Sequence, residues 1–166
     1  MGKEALKIIE GMHEIFKKKG LKLSVAESCT GGLISHYITM LPGASTFFEA
    51  GVVTYSAESK MRIFGLSLET ISSYGVVSGE TAKEMAERIR LLTKTDCALS
   101  TTGNLGPDVL EGKDVGLVYT AVSMYGKIFV KELRFEGERH EIKEKAAVSA
   151  LEFLVEVMKA EATEKC

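Results

Sequence analysis

The amino terminus lacks a long apolar run, so neither a membrane span nor the core of a secretory leader is expected there. The amino-terminal stretch mixes Lys3, Glu4 and Lys7 with apolar residues, so a cytoplasmic protein is expected. Cysteine is scarce. Cys29, Cys97 and Cys166 are odd in number and far apart, which argues against a disulfide framework and for a reducing compartment. Charge of one sign is lacking too: 21 Lys and Arg face 23 Asp and Glu, a net −2. That is too little to build a global field toward nucleic acid or an anionic membrane, and neither is expected as a partner. No pair of histidines or cysteines has zinc-ligand spacing, so no metal and no cofactor are expected. The chain has no internal repeat and no low-complexity linker. It is 45% hydrophobic, enough for one sizeable core, and a single domain over residues 1–166 is expected.

The apolar residues switch between two periods along the chain, which predicts alternating helices and strands in a layered α/β domain. Ala5, Ile8, Ile9, Met12, Ile15 and Phe16 fall on one helical face, closed by Lys17-Lys18-Lys19-Gly20, a cationic end with a glycine stop. A strand over 21–26 follows, then a helix carrying Leu33, Ile34, Tyr37, Ile38 and Leu41. Pro42-Gly43 marks a turn, and Gly51 to Ser56 reads as the next strand. A short helix over 57–64 ends at Gly65, and Ser78 is placed to cap a helix bearing Ala82, Met85, Ala86, Ile89 and Leu92. Cys97 to Thr101 reads as a buried strand. Val115 to Met124 and Ile128 to Phe135 read as an antiparallel hairpin turning at Tyr125-Gly126-Lys127, and Glu141 to Met158 as the last helix.

One junction stands out. Ala26-Glu27-Ser28-Cys29-Thr30-Gly31-Gly32 carries the chain from a strand into a helix through small and hydroxyl-bearing residues. Unpaired N–H groups and the positive end of a helix dipole at such a place favour a phosphate, a carboxylate or a developing oxyanion. The glycine pair lets a ligand approach the backbone closely. Serine before a helix is also the common N-cap, and Cys29 there is either a small buried residue or a thiol activated by the helix end. A second glycine-bearing segment, Gly103 to Asp114, follows a strand, where open α/β sheets place their ligands. His13, His36 and His140 are scattered along helices and read as ordinary helix or surface residues.

Three segments together resemble the carboxy-terminal domain of the CinA family, which includes nicotinamide mononucleotide deamidases: Glu27 to Gly32, Thr54-Tyr55-Ser56 with Lys60, and Thr101-Thr102-Gly103 with Gly106-Pro107. Pro42-Gly43, Gly75-Val76-Val77-Ser78, Val115-Gly116 and Phe135 with Gly137 and Arg139 extend the resemblance over most of the chain. It implies a three-layer α/β/α sandwich with a mixed, mainly parallel sheet and the C-terminal antiparallel hairpin. It also implies amidohydrolase activity on nicotinamide mononucleotide in pyridine nucleotide salvage. The nucleotide-pyrophosphatase-like domain of longer family members has no counterpart in these residues, and its activity is not transferred.

Amide hydrolysis needs a nucleophile, a base that becomes an acid, and donors for the oxyanion. The resemblance implies Ser28 as nucleophile and Lys60 as general base, with Tyr55 relaying a proton or holding Lys60. Lys60 is otherwise a solvated lysine, and it serves as a base only if burial or a nearby cation lowers its pKa. Substrate and oxyanion contacts are expected from Cys29, Thr30, Gly31, Gly32, Thr102 and Gly103, and a bidentate phosphate contact from Arg139, whose other reading is a solvated charge beside Glu138 and Glu141. Departures from the family pattern bear on the site. Ala57 stands where an asparagine commonly follows the Tyr-Ser pair; Asn104-Leu105 stands where the family has Ile-Ala, and Asp108-Val109-Leu110-Glu111-Gly112 replaces its glycine-rich continuation. The alternative is therefore a noncatalytic nucleotide- or phosphate-binding module of the same fold. A homo-oligomer, most simply a dimer, is expected; Phe47, Phe48 and the hairpin are candidate contacts unless pairing within the fold buries them.

Overall fold

The computed structural model describes residues 2–164, and Cys166 lies outside them. The chain runs α1 (Lys3–Lys19), β1 (Leu23–Glu27), α2 (Leu33–Thr39), a 3₁₀ turn (Ala44–Thr46), β2 (Phe48–Val53), α3 (Ala57–Ser59) continuing into a π turn (Lys60–Phe64), α4 (Leu68–Tyr74), α5 (Gly79–Thr93), β3 (Cys97–Gly103), β4 (Leu117–Met124), β5 (Lys127–Arg134) and α6 (Arg139–Thr163). The five strands form one sheet in the order β2-β1-β3-β4-β5. β1 pairs in parallel with both β2 and β3, whereas β4 runs antiparallel to β3 and to β5. The sheet is mixed, as expected, with four strands pointing one way and β4 alone reversed.

Strand alternation sorts the helices into two outer layers. Leu23, Val25, Cys97, Leu99, Val122 and Met124 face α1, α2 and α6, meeting Ile9, Met12, Phe16, Ile34, Ile38, Leu151 and Leu154 in the main core. The opposite face is built of smaller side chains. Ala26 and Ala98 meet Met85, Ile89 and Phe64, and Ala121 meets Ala82 and Ala86 of α5. Such small residues let α5 lie close enough for the Ser100 hydroxyl to donate to the Ala82 carbonyl at 2.6 Å. Phe47 is fully buried and stacks on Phe16, so it is unavailable as the surface contact it was expected to offer.

Two sequence expectations are corrected. The second strand lies three residues earlier than its expected span of 51–56, because it is the sheet edge with alternating burial and because Ser56 is already the N-cap of α3. α4 was not expected at all. It is seven residues long, capped by Ser67, and has no fully buried residue to create an apolar period.

The connections decide where a site forms. From β1 the chain passes through α2 on one face to reach β2, and from β2 it passes through α3 to α5 on the other face to reach β3. A crevice opens beyond the carboxyl ends of neighbouring strands where successive connections leave toward opposite faces.

His13 gives the fold a pH dependence. Its buried ring donates from Nε2 to the Ile38 carbonyl at 2.8 Å and packs edge-on against Phe47, while Nδ1 has no partner. Burial holds its pKa below the ordinary 6.5. The unfolded chain therefore binds the extra proton first as pH falls, and stability is lost from about 6.5 downward until the folded imidazole also titrates. The urea midpoint is expected to drop between pH 7.5 and pH 5, and His13→Gln to flatten that slope; an unchanged slope would show that His13 does not carry it.

Candidate active site

Ser28 is placed by the two strands beside its own. Its amide donates to the Thr101 carbonyl at 3.1 Å, and the carbonyl of Glu27 accepts from the Thr54 amide at 2.9 Å. The turn is then locked by a carboxylate from inside. Glu27 is fully buried, and its two oxygens accept from the Thr30 hydroxyl, the amides of Gly32, Ile34 and Ser35, and the Ser35 hydroxyl at 2.7–3.1 Å. Gly32, with φ +95, supplies the left-handed step that aims these amides back at Glu27.

This corrects the expected anion site. The donors of the α2 N-terminus are occupied by the protein's own carboxylate, and the Gly31 amide is bonded to the Ser28 carbonyl at 3.0 Å. Thr30, Gly31 and Gly32 therefore build the turn. The amides of Cys29 and Thr30, both directed at the Cys29 sulfur, are the turn's remaining candidates for an oxyanion. A Glu27→Gln variant turns an amide NH₂ toward these donors, and is expected to destabilise the fold by about 3–5 kcal/mol, as breaking a buried charged network does. Urea unfolding measures it, and a loss under about 1 kcal/mol would contradict this account.

Lys60 comes from the segment after β2. Ser56 and Ser59 cap each other's backbone amides, which starts α3, and the π turn that follows swings Lys60 inward. The side chain is 1% exposed. Its ammonium donates to Ser28 Oγ and to the Thr54 carbonyl, both at 2.9 Å. Burial lowers its pKa from 10.5 to about 8, within reach of neutrality. A solvated Lys60 and an N-capping Ser28 are both excluded: α2 has no side-chain cap, and the Ser28 hydroxyl belongs to Lys60. Cys29 is buried with its thiol pushed up to about 12, so it is protonated at neutral pH and a poor nucleophile.

Around this pair lies a cleft of about 260 Å³ lined by Ser28, Lys60, Tyr55, Thr102, Gly103 and Arg139, together with residues of the loop after β3. Tyr55 is 61% exposed. Its hydroxyl accepts from Arg139 Nη2 at 2.6 Å, so the expected bond to Lys60 does not form. Arg139 opens α6 beneath a Glu138–Glu141 capping box, and its other nitrogen donates to the Gly106 carbonyl. It thus ties the loop to Tyr55 across the cleft mouth and is not merely solvated. The Thr102 hydroxyl donates to the Val76 carbonyl at 2.6 Å. Gly103 leaves room for Val118 and the Leu117 carbonyl of the next strand. Leu105 is buried with Cys29, Val118, Ile142 and Ala146, beside the turn that carries Ser28.

The sequence reading missed the part played by Glu27 as internal cap, although its position inside the motif was visible, and it missed the Thr54 carbonyl, which no residue-type signal marks. None of the three histidines lines the cleft. Among the described residues no group of three or more His, Cys, Asp or Glu is placed to hold a metal, and no helix is long and apolar enough to cross a membrane.

A buried lysine thus holds a serine hydroxyl at the switch point of a mixed sheet in an α/β protein. The chain belongs to the CinA family: residues 5–158 match the CinA C-terminal domain. It is 43% identical over 155 residues to a CinA-like protein of Kosmotoga olearia, covering 93% of this chain and 37% of that one. Over 146 residues it is 49% identical to a Caldicellulosiruptor saccharolyticus protein whose name refers to competence-damage induction. The chain spans 36% of that relative's length. Among solved structures, a competence/damage inducible protein from Agrobacterium tumefaciens superposes with a TM-score of 0.90 at 32% identity, covering 96% of this chain and 98% of that one. A CinA superfamily protein from Klebsiella pneumoniae gives 0.91 at 28% identity, covering 94% and 98%.

Proposed function

We propose that this chain is an amidohydrolase that converts nicotinamide mononucleotide to nicotinate mononucleotide and ammonia. The observation that carries the reading is the hydrogen bond of 2.9 Å between buried Lys60 and Ser28 Oγ, opening onto a cleft that also presents the Arg139 cation. Membership of a family that includes such deamidases supports the substrate.

In the neutral state the Lys60 amine still donates to the Thr54 carbonyl and turns its lone pair to the Ser28 hydroxyl. Ser28 Oγ attacks the carboxamide carbon while Lys60 takes the hydroxyl proton. The amides of Cys29 and Thr30 are the proposed donors to the oxyanion. Lys60 then passes its proton to the departing nitrogen, ammonia leaves, and an acyl ester remains on Ser28. Water attacks that ester as Lys60 accepts one of its protons; Lys60 returns that proton to Ser28 Oγ as the carboxylic acid leaves, and the acid gives its own proton to solvent to become the carboxylate product. Arg139, with guanidinium donors beyond those given to Gly106 and Tyr55, is the proposed phosphate contact. Tyr55 serves this scheme by holding Arg139.

The test is ammonia release from nicotinamide mononucleotide by the purified chain without added metal, with calorimetric binding of the same nucleotide alongside. Turnover with binding supports the deamidase. Binding with no ammonia would favour the noncatalytic nucleotide-binding module, and neither would reject both.

A further inference from the structure

Residues 104–110 line the cleft in a loop over 104–113 with almost no regular structure, yet side chains fasten that loop at both ends. At the near end Asn104 Nδ2 donates to the carbonyls of Asp108 and Lys113 at 2.9 and 3.2 Å, and its Oδ1 accepts from the Gly106 amide at 2.9 Å. At the far end Glu111 accepts from the amides of Val76 and Val77 at 3.1 and 3.3 Å. Two left-handed backbone steps make that second contact. Glu111 has φ +55, a region non-glycine residues seldom occupy. Gly75 has φ +80, and a Cβ there would collide with the Glu111 carboxylate. Val76 and Val77 line the cleft, as do Val109 and Leu110 of the loop. The two halves of this apolar wall come from distant parts of the chain and meet at Glu111.

We propose that Glu111 is a positioning residue: its carboxylate fastens the loop to the Val76-Val77 amides, and the apolar wall of the cleft that holds Ser28 and Lys60 keeps its substrate-binding shape through that bond. The proposal rests on the deamidase reading for its substrate. The same carboxylate acts on Lys60 through space. Lys60 shares the cleft with Ser28 and Cys29 from the β1–α2 turn, Tyr55 beyond β2, Asp108 from the loop and Arg139 from α6, and of the charged groups around it the Glu111 carboxylate acts on it. Cys29 stays a thiol at neutral pH, while Glu111 favours the charged form of Lys60.

Glu111→Gln keeps the side-chain shape and removes the charge, leaving one acceptor oxygen for two amides. Its KM for nicotinamide mononucleotide is expected to rise about tenfold, the cost of a charged hydrogen bond, with kcat within about threefold of the parent. The acid limb of kcat/KM is expected to move to lower pH, since an anion that favours protonated Lys60 is gone. A limb shift together with the KM rise supports positioning; a general loss of packing would not move the limb in that direction. An unchanged KM and limb in a folded variant would overturn it. Should the wild-type chain bind the nucleotide without turnover, calorimetric affinity replaces KM, with the same tenfold loss expected and an unchanged affinity overturning the proposal. Should it neither bind nor turn over, the deamidase reading fails separately. Amide hydrogen exchange then decides: faster exchange at Val76 and Val77 in Glu111→Gln sustains the latch, and unchanged exchange overturns it.

Discussion

Ser28→Ala is expected to lower ammonia release from nicotinamide mononucleotide by at least about a thousandfold while leaving nucleotide affinity within a few-fold of the parent. The reasoning is geometric. Among the described residues Ser28 Oγ is the one hydroxyl bonded to the buried lysine, and removing it leaves that base with the Thr54 carbonyl as its partner there and no nucleophile to activate. The scaffold loses little, because the backbone of Ser28 is held by Thr101 and the turn by Glu27. Cys29→Ala is the control. With a thiol pushed up to about 12 by burial, Cys29 contributes packing and not a thiolate, so its loss is expected to be mild. Near-normal turnover in Ser28→Ala would reject the serine mechanism, and an equal loss in Cys29→Ala would transfer the nucleophile to the thiol.

The second large effect concerns Lys60. Turnover in Lys60→Met is expected to fall by about 10³–10⁴, near the upper range for losing a positioned proton carrier. With a pKa of about 8, the wild-type rate is expected to climb roughly tenfold per pH unit below that value and to level above it. Lys60→Arg remains protonated at every accessible pH and is expected to stay inactive across the profile. The same substitution to Met separates activity from stability. Because the folded pKa lies below the ordinary 10.5, the unfolded chain holds the extra proton between about 10.5 and 8. Stability therefore falls as pH drops through that window and stays low beneath it. Lys60→Met removes this cost and is expected to stabilise the fold at pH 7 by up to about 3 kcal/mol, less what the unpaired Thr54 carbonyl takes back. Urea unfolding against pH measures both parts. A Lys60→Met variant that is inactive and markedly less stable would show that the lysine holds the fold together and that its burial carries no net cost.

The elements that the residues announce are those whose apolar period is local. α1 and its Lys-rich end, α5 under its Ser78 cap and the β4–β5 hairpin all read directly from spacing and turn chemistry, because neighbours along the chain are also neighbours on the face they bury. Elements lacking that local signal were misplaced or missed. β2 is an edge strand whose alternation overlaps a cap, and α4 is a short surface turn that presents Leu68 and Tyr74 outward. At the site, the family resemblance paired Lys60 with Ser28 and marked Arg139, while their remaining partners were not legible. Tyr55 bonds to Arg139 instead of Lys60, and the expected ligand of the α2 N-terminus is Glu27.

By itself, then, the sequence determined the alternation of elements, the switch from strand to helix at Ser28, and membership of the CinA family, since each rests on residues close together or on motifs in order. Tertiary structure alone decided that Lys60 is buried against Ser28, that Glu27 occupies the helix end, and that Glu111 meets Val76 and Val77 across the cleft. The physical reason is separation along the chain: these contacts join residues brought together by the sheet's crossovers, and the burial that lowers the Lys60 pKa is set by packing from several elements at once.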